Sequence, residues 1–203
     1  MILVGRYASP FVRRVGVTLQ WLGVPYEHKV LSTAKDVEAI RAFNPMAKVP
    51  VLVLDNGEHL VDSSAILDSV LEHIPGQRLL PASGDERRRI LQLCAVMTNG
   101  LDKAIQIIYE PMKRPPEKIH EPYLESLRDQ VRAGLAMLES VAAQGGLPGG
   151  EDSTLADITV AVGWRFLTRT MPQVADKMAF PHLAGLSARS EPLPAFMACQ
   201  PEA

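Results

Sequence analysis

The chain has 203 residues, 47% of them hydrophobic, enough to fill one large core or two small ones. Its formal net charge of −2 gives no general attraction to nucleic acid or to an acidic membrane surface. Two cysteines, Cys94 and Cys199, with no CxxC spacing, and five scattered histidines argue against a disulfide framework and against a metal centre.

No apolar run reaches spanning length, and the first residues lack the basic and long apolar stretches of a signal peptide. A protein of the reducing cytoplasm, with no membrane or nucleic-acid partner, is the expectation. Ile2 to Val4 reads as a short buried strand. "YASPFVRRVGVTLQWLG" (Tyr7–Gly23) follows. Pro10 suits a first helical turn, Val12, Val15, Leu19 and Leu22 recur at helical spacing, and Gly23 offers a stop. Pro25–Leu31 alternates like a second strand, and Asp36–Phe43 has the look of a short helix ended by Asn44-Pro45.

Val51–Leu54 and His59–Val61 flank the turn Asp55-Asn56-Gly57, a hairpin signal. Asp62-Ser63-Ser64 then starts a helix through His73, with Ile66, Leu67, Val70, Leu71 and Ile74 apolar. The order β-α-β-α-β-β-α implies a four-stranded mixed sheet with helices on both faces. Pro75–Glu86 is rich in turn formers and reads as a linker. Beyond it only helical patterns remain, over Asp85–Tyr109, Glu117–Ala143, Thr154–Thr170 and Leu183–Ser190, which predicts an all-α bundle. The expected domains are 1–77 and 84–203. Arg87-Arg88-Arg89, after Asp85-Glu86, reads as a solvated helix face.

Three places carry possible chemistry, each with an ordinary structural alternative. Ser9 caps a Pro-initiated helix, and a helix N-terminus with its hydroxyl also suits an anion such as a thiolate. No cysteine lies near Ser9, so such a thiol would come from a ligand. Val49-Pro50 is either strand punctuation or, if cis, a bend that offers backbone groups for strand addition. Asp62-Ser63 is either a capping pair or a grip on both charges of an amino-acid end. All three lie at strand ends or helix starts, where α/β folds place ligands.

"SPFVRRV" (Ser9–Val15), "FNPMAKVPVL" (Phe43–Leu52), "LVDSSAIL" (Leu60–Leu67) and "STLADI" (Ser153–Ile158) together resemble the cytosolic glutathione transferases of the serine-type bacterial kind. The resemblance implies a thioredoxin-like N-terminal domain and a helical C-terminal one. It also implies glutathione as cosubstrate, an electrophilic small molecule as its partner, no metal, and a homodimer. By the same resemblance Ser9 hydrogen-bonds the glutathione sulfur and is the catalytic residue. Val49, before Pro50, pairs its backbone with the cysteinyl part, Lys48 meets the glycyl carboxylate, and Asp62 and Ser63 hold the γ-glutamyl end. Phe11 joins this binding set. Thr154 and Asp157 resemble the family's capping box, and Thr-x-x-Asp before an apolar run is one on local chemistry alone.

Ala47 stands where such sequences often carry glycine, which argues against a glycine-only backbone angle there. Tyr7 offers a second hydroxyl near Ser9. The lack of a cysteine at position 9 argues against thiol-reductase branches, and the lack of a Ser-Ser-Cys start against the maleylacetoacetate isomerase branch. Phe11, Met97, Asn99, Asp102, Tyr109 and Trp164 are candidates for a second-substrate pocket, with core packing the better reading for Met97 and Trp164. Alternatives to conjugation are a non-catalytic binding module of the same fold, or a glutathione-dependent lyase, dehalogenase or peroxidase.

Overall fold

The structure is a computed structural model that describes residues 1–202, and its contacts divide the chain into two units. The first holds Met1–Ala82 and the chain from Glu191 onward; the second is Ser83–Ser190. The tail beyond Ser190, expected with the helical bundle, thus groups with the first unit.

The first unit runs β1 (Ile2–Val4), α1 (Pro10–Trp21), β2 (Glu27–Lys29), α2 (Val37–Arg41), β3 (Val51–Val53), β4 (His59–Val61) and α3 (Ser63–Glu72). The strands form one mixed sheet in the order β2-β1-β3-β4, with β1 parallel to β2 and antiparallel to β3. This is the thioredoxin-like arrangement that the sequence implied. Strand β2 is shorter than Pro25–Leu31 because it is an edge strand, bonded only to β1, and Val30 beyond it is 53% exposed. Helices α1 and α3 pack side by side, and Leu3, Val4, Val12, Val15, Leu19, Leu52, Ile66 and Leu67 are buried throughout. Fully burying each such side chain contributes about 1.5–3 kcal/mol. The segment expected as a linker is anchored rather than loose: Leu79 and Leu80 are buried, and Gln77 bonds the backbone of Leu80 from both ends of its amide.

Two positively charged residues in α1 break the default rule that charges face water. Arg13 and Arg14 are both buried. Arg13 grips Glu191 with two bonds of 2.7 Å, donates from Nε to the Cys199 carbonyl at 2.8 Å, and lies over the Phe196 ring. This bidentate pair ties the tail, including the four-residue helix α8 (Pro194–Met197), to α1.

The second unit consists of α4 (Gly84–Lys113), α5 (Glu121–Ala143), α6 (Leu155–Thr170) and α7 (Pro181–Ser190). Buried Ile90, Leu93, Cys94, Met97, Leu101, Ala104 and Ile107 form the inward stripe of α4 at helical spacing. Helix α4 continues past Tyr109 with Pro111 inside it, because a proline near the C-terminal end removes one hydrogen bond while later residues still donate. Helix α5 begins after His120, with a separate 3₁₀ turn at Pro116–Lys118. Helix α6 is buried along most of its length, and Gly163 lets Met97 approach: a Cβ there would lie 2.4 Å from the Met97 sulfur. The capping box at its start is complete. Asp157, fully buried, accepts from the Thr154 amide and hydroxyl and from the Gly149 amide at 2.7–2.8 Å. Around the first turn of α4, Arg88 pairs with Asp85 and Arg89 with Glu86 on an exposed face. Among the described residues, no helix is long and apolar enough to cross a membrane.

Candidate functional site

The sheet register decides which loops meet. Val4 at the end of β1 lies opposite Val51 at the start of β3, and Val51 lies opposite Val61 at the end of β4. Adjacent strands are about 4.8 Å apart. The segments Gly5–Ser9, Val49-Pro50 and Asp62-Ser63 therefore leave the sheet side by side at one end. Gly5 marks how tightly they meet. Its φ is +125°, and a Cβ on it would lie 2.6 Å from Val12 Cγ2 and 2.9 Å from Val49 Cβ.

Ser9 is the N-cap of α1, in an extended conformation, with Pro10 as the first helical residue. Its Oγ accepts from the Val12 amide at 3.5 Å, a long bond that keeps the hydroxyl hydrogen available to another acceptor. Phe11, half-buried, sits in the same first turn. An anion here faces the positive end of α1.

Tyr7 points elsewhere. Its hydroxyl is 2.7 Å from the Tyr26 hydroxyl, and its ring stacks on His28 at 3.9 Å. Burial, reinforced by the Tyr26 hydrogen bond and the nearby Cys199 thiol, pushes the Tyr7 hydroxyl far above the ordinary tyrosine range. Burial likewise pushes Tyr26 up to about 12, and raises the Cys199 thiol. The second hydroxyl near the strand end thus belongs to a buried cluster under α1.

The Val49-Pro50 peptide is cis. Val49 is half-buried and Pro50 buried, while Lys48 projects into solvent and its carbonyl accepts from the Asn44 side chain at 3.0 Å. Ala47 has φ +52°, the left-handed region that favours glycine. This agrees with the expectation that no glycine-only angle is required at position 47. A methyl side chain tolerates αL at a cost, so glycine is favoured there without being necessary.

Asp62 is the N-cap of α3 at φ 70°, ψ 128°, an unusual conformation for a residue with a side chain. One carboxylate oxygen accepts from the Ser64 amide at 2.7 Å, and the group as a whole is exposed. Ser63 is buried, and its Oγ accepts from Arg14 at 3.1 Å; Ser64 Oγ lies 3.4 Å from the same nitrogen. A buried guanidinium beneath a helix N-terminus adds to the positive field already there. Arg14 is a residue that sequence reasoning missed. The available signal was an Arg-Arg pair in a helix whose other positions, apart from Thr18 and Gln20, are apolar or glycine, leaving almost no solvated face.

In the second unit, Met97 and Trp164 are core residues, as their apolar context implied, and Trp164 meets Phe180 edge-on. Asn99 and Asp102 are exposed on one face of α4. Tyr109 is half-buried with Lys113 Nζ 4.9 Å from its ring centre. Among the described residues, no cluster of three or more histidine, cysteine or acidic side chains is arranged to hold a metal ion.

Residues 3–78 match the family model of the glutathione S-transferase N-terminal domain, and residues 121–189 that of the C-terminal domain. The GST-like protein YibF of Escherichia coli K12 is 30% identical over 174 residues, 85% of either chain. A glutathione transferase family member from Pseudomonas fluorescens Pf-5, solved with bound glutathione, is 32% identical with a TM-score of 0.88, covering 100% of this chain and 99% of its own. The same protein has also been solved with S-(propanoic acid)-glutathione. A maleylpyruvate isomerase of a Ralstonia species is 35% identical over 101 residues, 48% of this chain and 47% of its own.

Proposed function

Since the chain belongs to the glutathione S-transferase family, we propose that it binds reduced glutathione at this end of the sheet and turns its thiol on an electrophile. The convergence of Ser9, Val49-Pro50 and Asp62-Ser63, set by the strand register, carries this reading. The backbone of Val49 pairs with the cysteinyl residue, and Lys48 meets the glycyl carboxylate. Asp62 takes the γ-glutamyl ammonium. Ser63 and the α3 N-terminus, with Arg14 behind them, take the γ-glutamyl carboxylate. Phe11 lines the same site from the first turn of α1.

Ser9 Oγ–H donates to the sulfur, and this bond strengthens as charge builds on it. A free thiol ionises near pH 8.5 or so, and each unit of depression reflects about 1.4 kcal/mol of preference for the thiolate. The thiol proton passes to solvent, the sulfur lone pair forms the new S–C bond, and the leaving group departs with its electron pair. The S-(propanoic acid)-glutathione held by the Pseudomonas relative is a conjugate of the kind that such a step makes. A cytoplasmic homodimer that needs no metal is the working form we assign.

Calorimetry with glutathione, ultraviolet titration of the bound thiol, and turnover of a chromogenic aryl halide test the reading together. Ser9→Ala is expected to raise the thiol's pKa and cut turnover more than it weakens binding. An unchanged titration removes Ser9 from the mechanism. Retention of glutathione without turnover of halides, peroxides or dehalogenation substrates favours a non-catalytic module.

Although the chain lacks the Ser-Ser-Cys start of the maleylacetoacetate isomerase branch, its likeness to the Ralstonia maleylpyruvate isomerase supports a second reading, isomerisation in which the glutathione thiolate adds to a conjugated double bond and later leaves. Glutathione then stays unconsumed while maleylpyruvate absorbance changes, which separates the two.

A further inference from the structure

The Ser9 carbonyl takes the Arg13 amide at 2.9 Å, but its hydroxyl is held only loosely by the helix, through a bond from Val12 that is 3.5 Å long. What fixes the turn that presents it comes from the far end of the chain. Glu202 accepts from the Tyr7 amide at 3.1 Å and from the Ala8 amide at 2.8 Å, one carboxylate oxygen to each. Arg6 Nε lies 3.8 Å from the second oxygen. The Ser9 amide closes the same turn onto the Arg6 carbonyl at 3.0 Å.

The tail that carries Glu202 is fastened to the same helix. Arg13 bonds Glu191 and the Cys199 carbonyl, and the Cys199 thiol lies 3.6 Å from the Tyr26 hydroxyl. Anchors at residues 191 and 199 leave Glu202 short of freedom, so ordering its carboxylate on the turn sacrifices little further chain entropy. Two charge-assisted bonds onto adjacent amides define the direction of the turn more narrowly than one weak cap does.

We propose that Glu202 is a positioning residue for the sulfur-activating hydroxyl: it clamps the Arg6–Ser9 turn so that Ser9 Oγ meets the glutathione sulfur. This role rests on the glutathione reading above. Glu202 acts through the backbone and touches neither sulfur nor electrophile.

The sign of one measurement separates clamping from mere proximity of charge. Acting only as a nearby negative charge, Glu202 would disfavour the thiolate, and its removal would lower the bound thiol's pKa. Acting as a clamp, its removal weakens the Ser9–sulfur bond and raises that pKa.

The test compares wild type with Glu202→Gln, which keeps one acceptor, and Glu202→Ala, which keeps none. Amide exchange at Tyr7 and Ala8 is expected to speed up by about tenfold or more in the alanine variant and less in the glutamine one. Glutathione affinity stays within about threefold, since hydrogen bonding to the tripeptide's termini is untouched. The bound thiol titrates higher by about half a unit or more, and lost turnover returns as pH is raised. A titration that stays put or falls in Glu202→Ala, with glutathione bound, overturns the role of Glu202 alone. Wild type that binds no glutathione overturns the functional reading and this role with it, whatever the amide exchange.

Discussion

Asp62 joins a strained backbone to a charge expected to meet the ligand, and substitutions there should move stability and affinity in opposite directions. At φ 70°, ψ 128° an aspartate carries about 1–3 kcal/mol of strain. Glycine relieves that strain, and replacing a cap by glycine costs only a few tenths of a kcal/mol. Greater freedom of the unfolded chain takes back about 0.4–1 kcal/mol. Asp62→Gly is therefore expected to stabilise the protein by about 1 kcal/mol, a rise in Tm of about 2–4 °C for a chain of this size.

The same change removes the carboxylate. A hydrogen bond to a charged group is worth about 1.5–3 kcal/mol, so glutathione should bind about 10- to 150-fold more weakly. Asp62→Asn keeps an oxygen for the Ser64 amide and tolerates positive φ, so it separates charge from backbone: stability near wild type, affinity reduced. Asp62→Ala keeps the strain and loses the cap, at about 1 kcal/mol of stability. Thermal unfolding and isothermal calorimetry read the two effects independently. An Asp62→Gly variant less stable than wild type, or an Asp62→Asn variant that binds glutathione as tightly, refutes this dual role of Asp62. Turnover that collapses at saturating glutathione with affinity intact removes Asp62 from the γ-glutamyl end.

Ala47→Gly, at φ +52°, should gain up to about 1 kcal/mol in denaturant unfolding, with glutathione affinity unchanged. Asp157→Ala leaves two backbone amides without their acceptor in a buried site and should lose about 4 kcal/mol, whereas Asp157→Asn, keeping one acceptor oxygen, should lose less. Burial raises the Asp157 carboxyl against the hydrogen bonds that favour its ionised form. Its folded pKa lies above the ordinary 3.8, so its contribution to stability declines as pH rises through that interval, a slope that Asp157→Asn should lack. Glu139 behaves oppositely. Burial works against its charge, but bonds from the His182 and Leu183 amides and the His182 ring outweigh it and hold the carboxyl below the ordinary 4.5. Its stabilisation of the α7 N-terminus is complete above that value and is lost as pH falls through the lower folded pKa. Acid unfolding of Glu139→Gln should be flatter there.

Much of both units is legible in short stretches. Ser9-Pro10, Asp55-Asn56-Gly57, Asp62-Ser63 and Thr154-x-x-Asp157 each satisfy, or turn, backbone groups within four residues, and the structure has each of them at an element boundary. Strand and helix boundaries drift where that local logic competes with position in the fold. β2 shortens because it lies at a sheet edge, and α4 outruns Pro111.

The residues that sequence reasoning passed over share one property: their partners are remote. Arg13 meets Glu191 across 178 positions, and the Tyr7 amide meets Glu202 across 195. Arg14 reaches Ser63 across 49. Between Tyr7 and Ser9, hydroxyl chemistry alone left two candidates, and only packing turned Tyr7 under α1 towards Tyr26 and Cys199.

By itself, then, the sequence determined the order of elements, the turns and the caps, because hydrogen-bond satisfaction and apolar periodicity act over a few residues. The tertiary structure alone decided which charges are buried, which loops end together on the sheet, where the Tyr7 hydroxyl goes and what holds the turn before Ser9. Those outcomes depend on desolvation and on partners brought near by chain closure, and no local spacing encodes them.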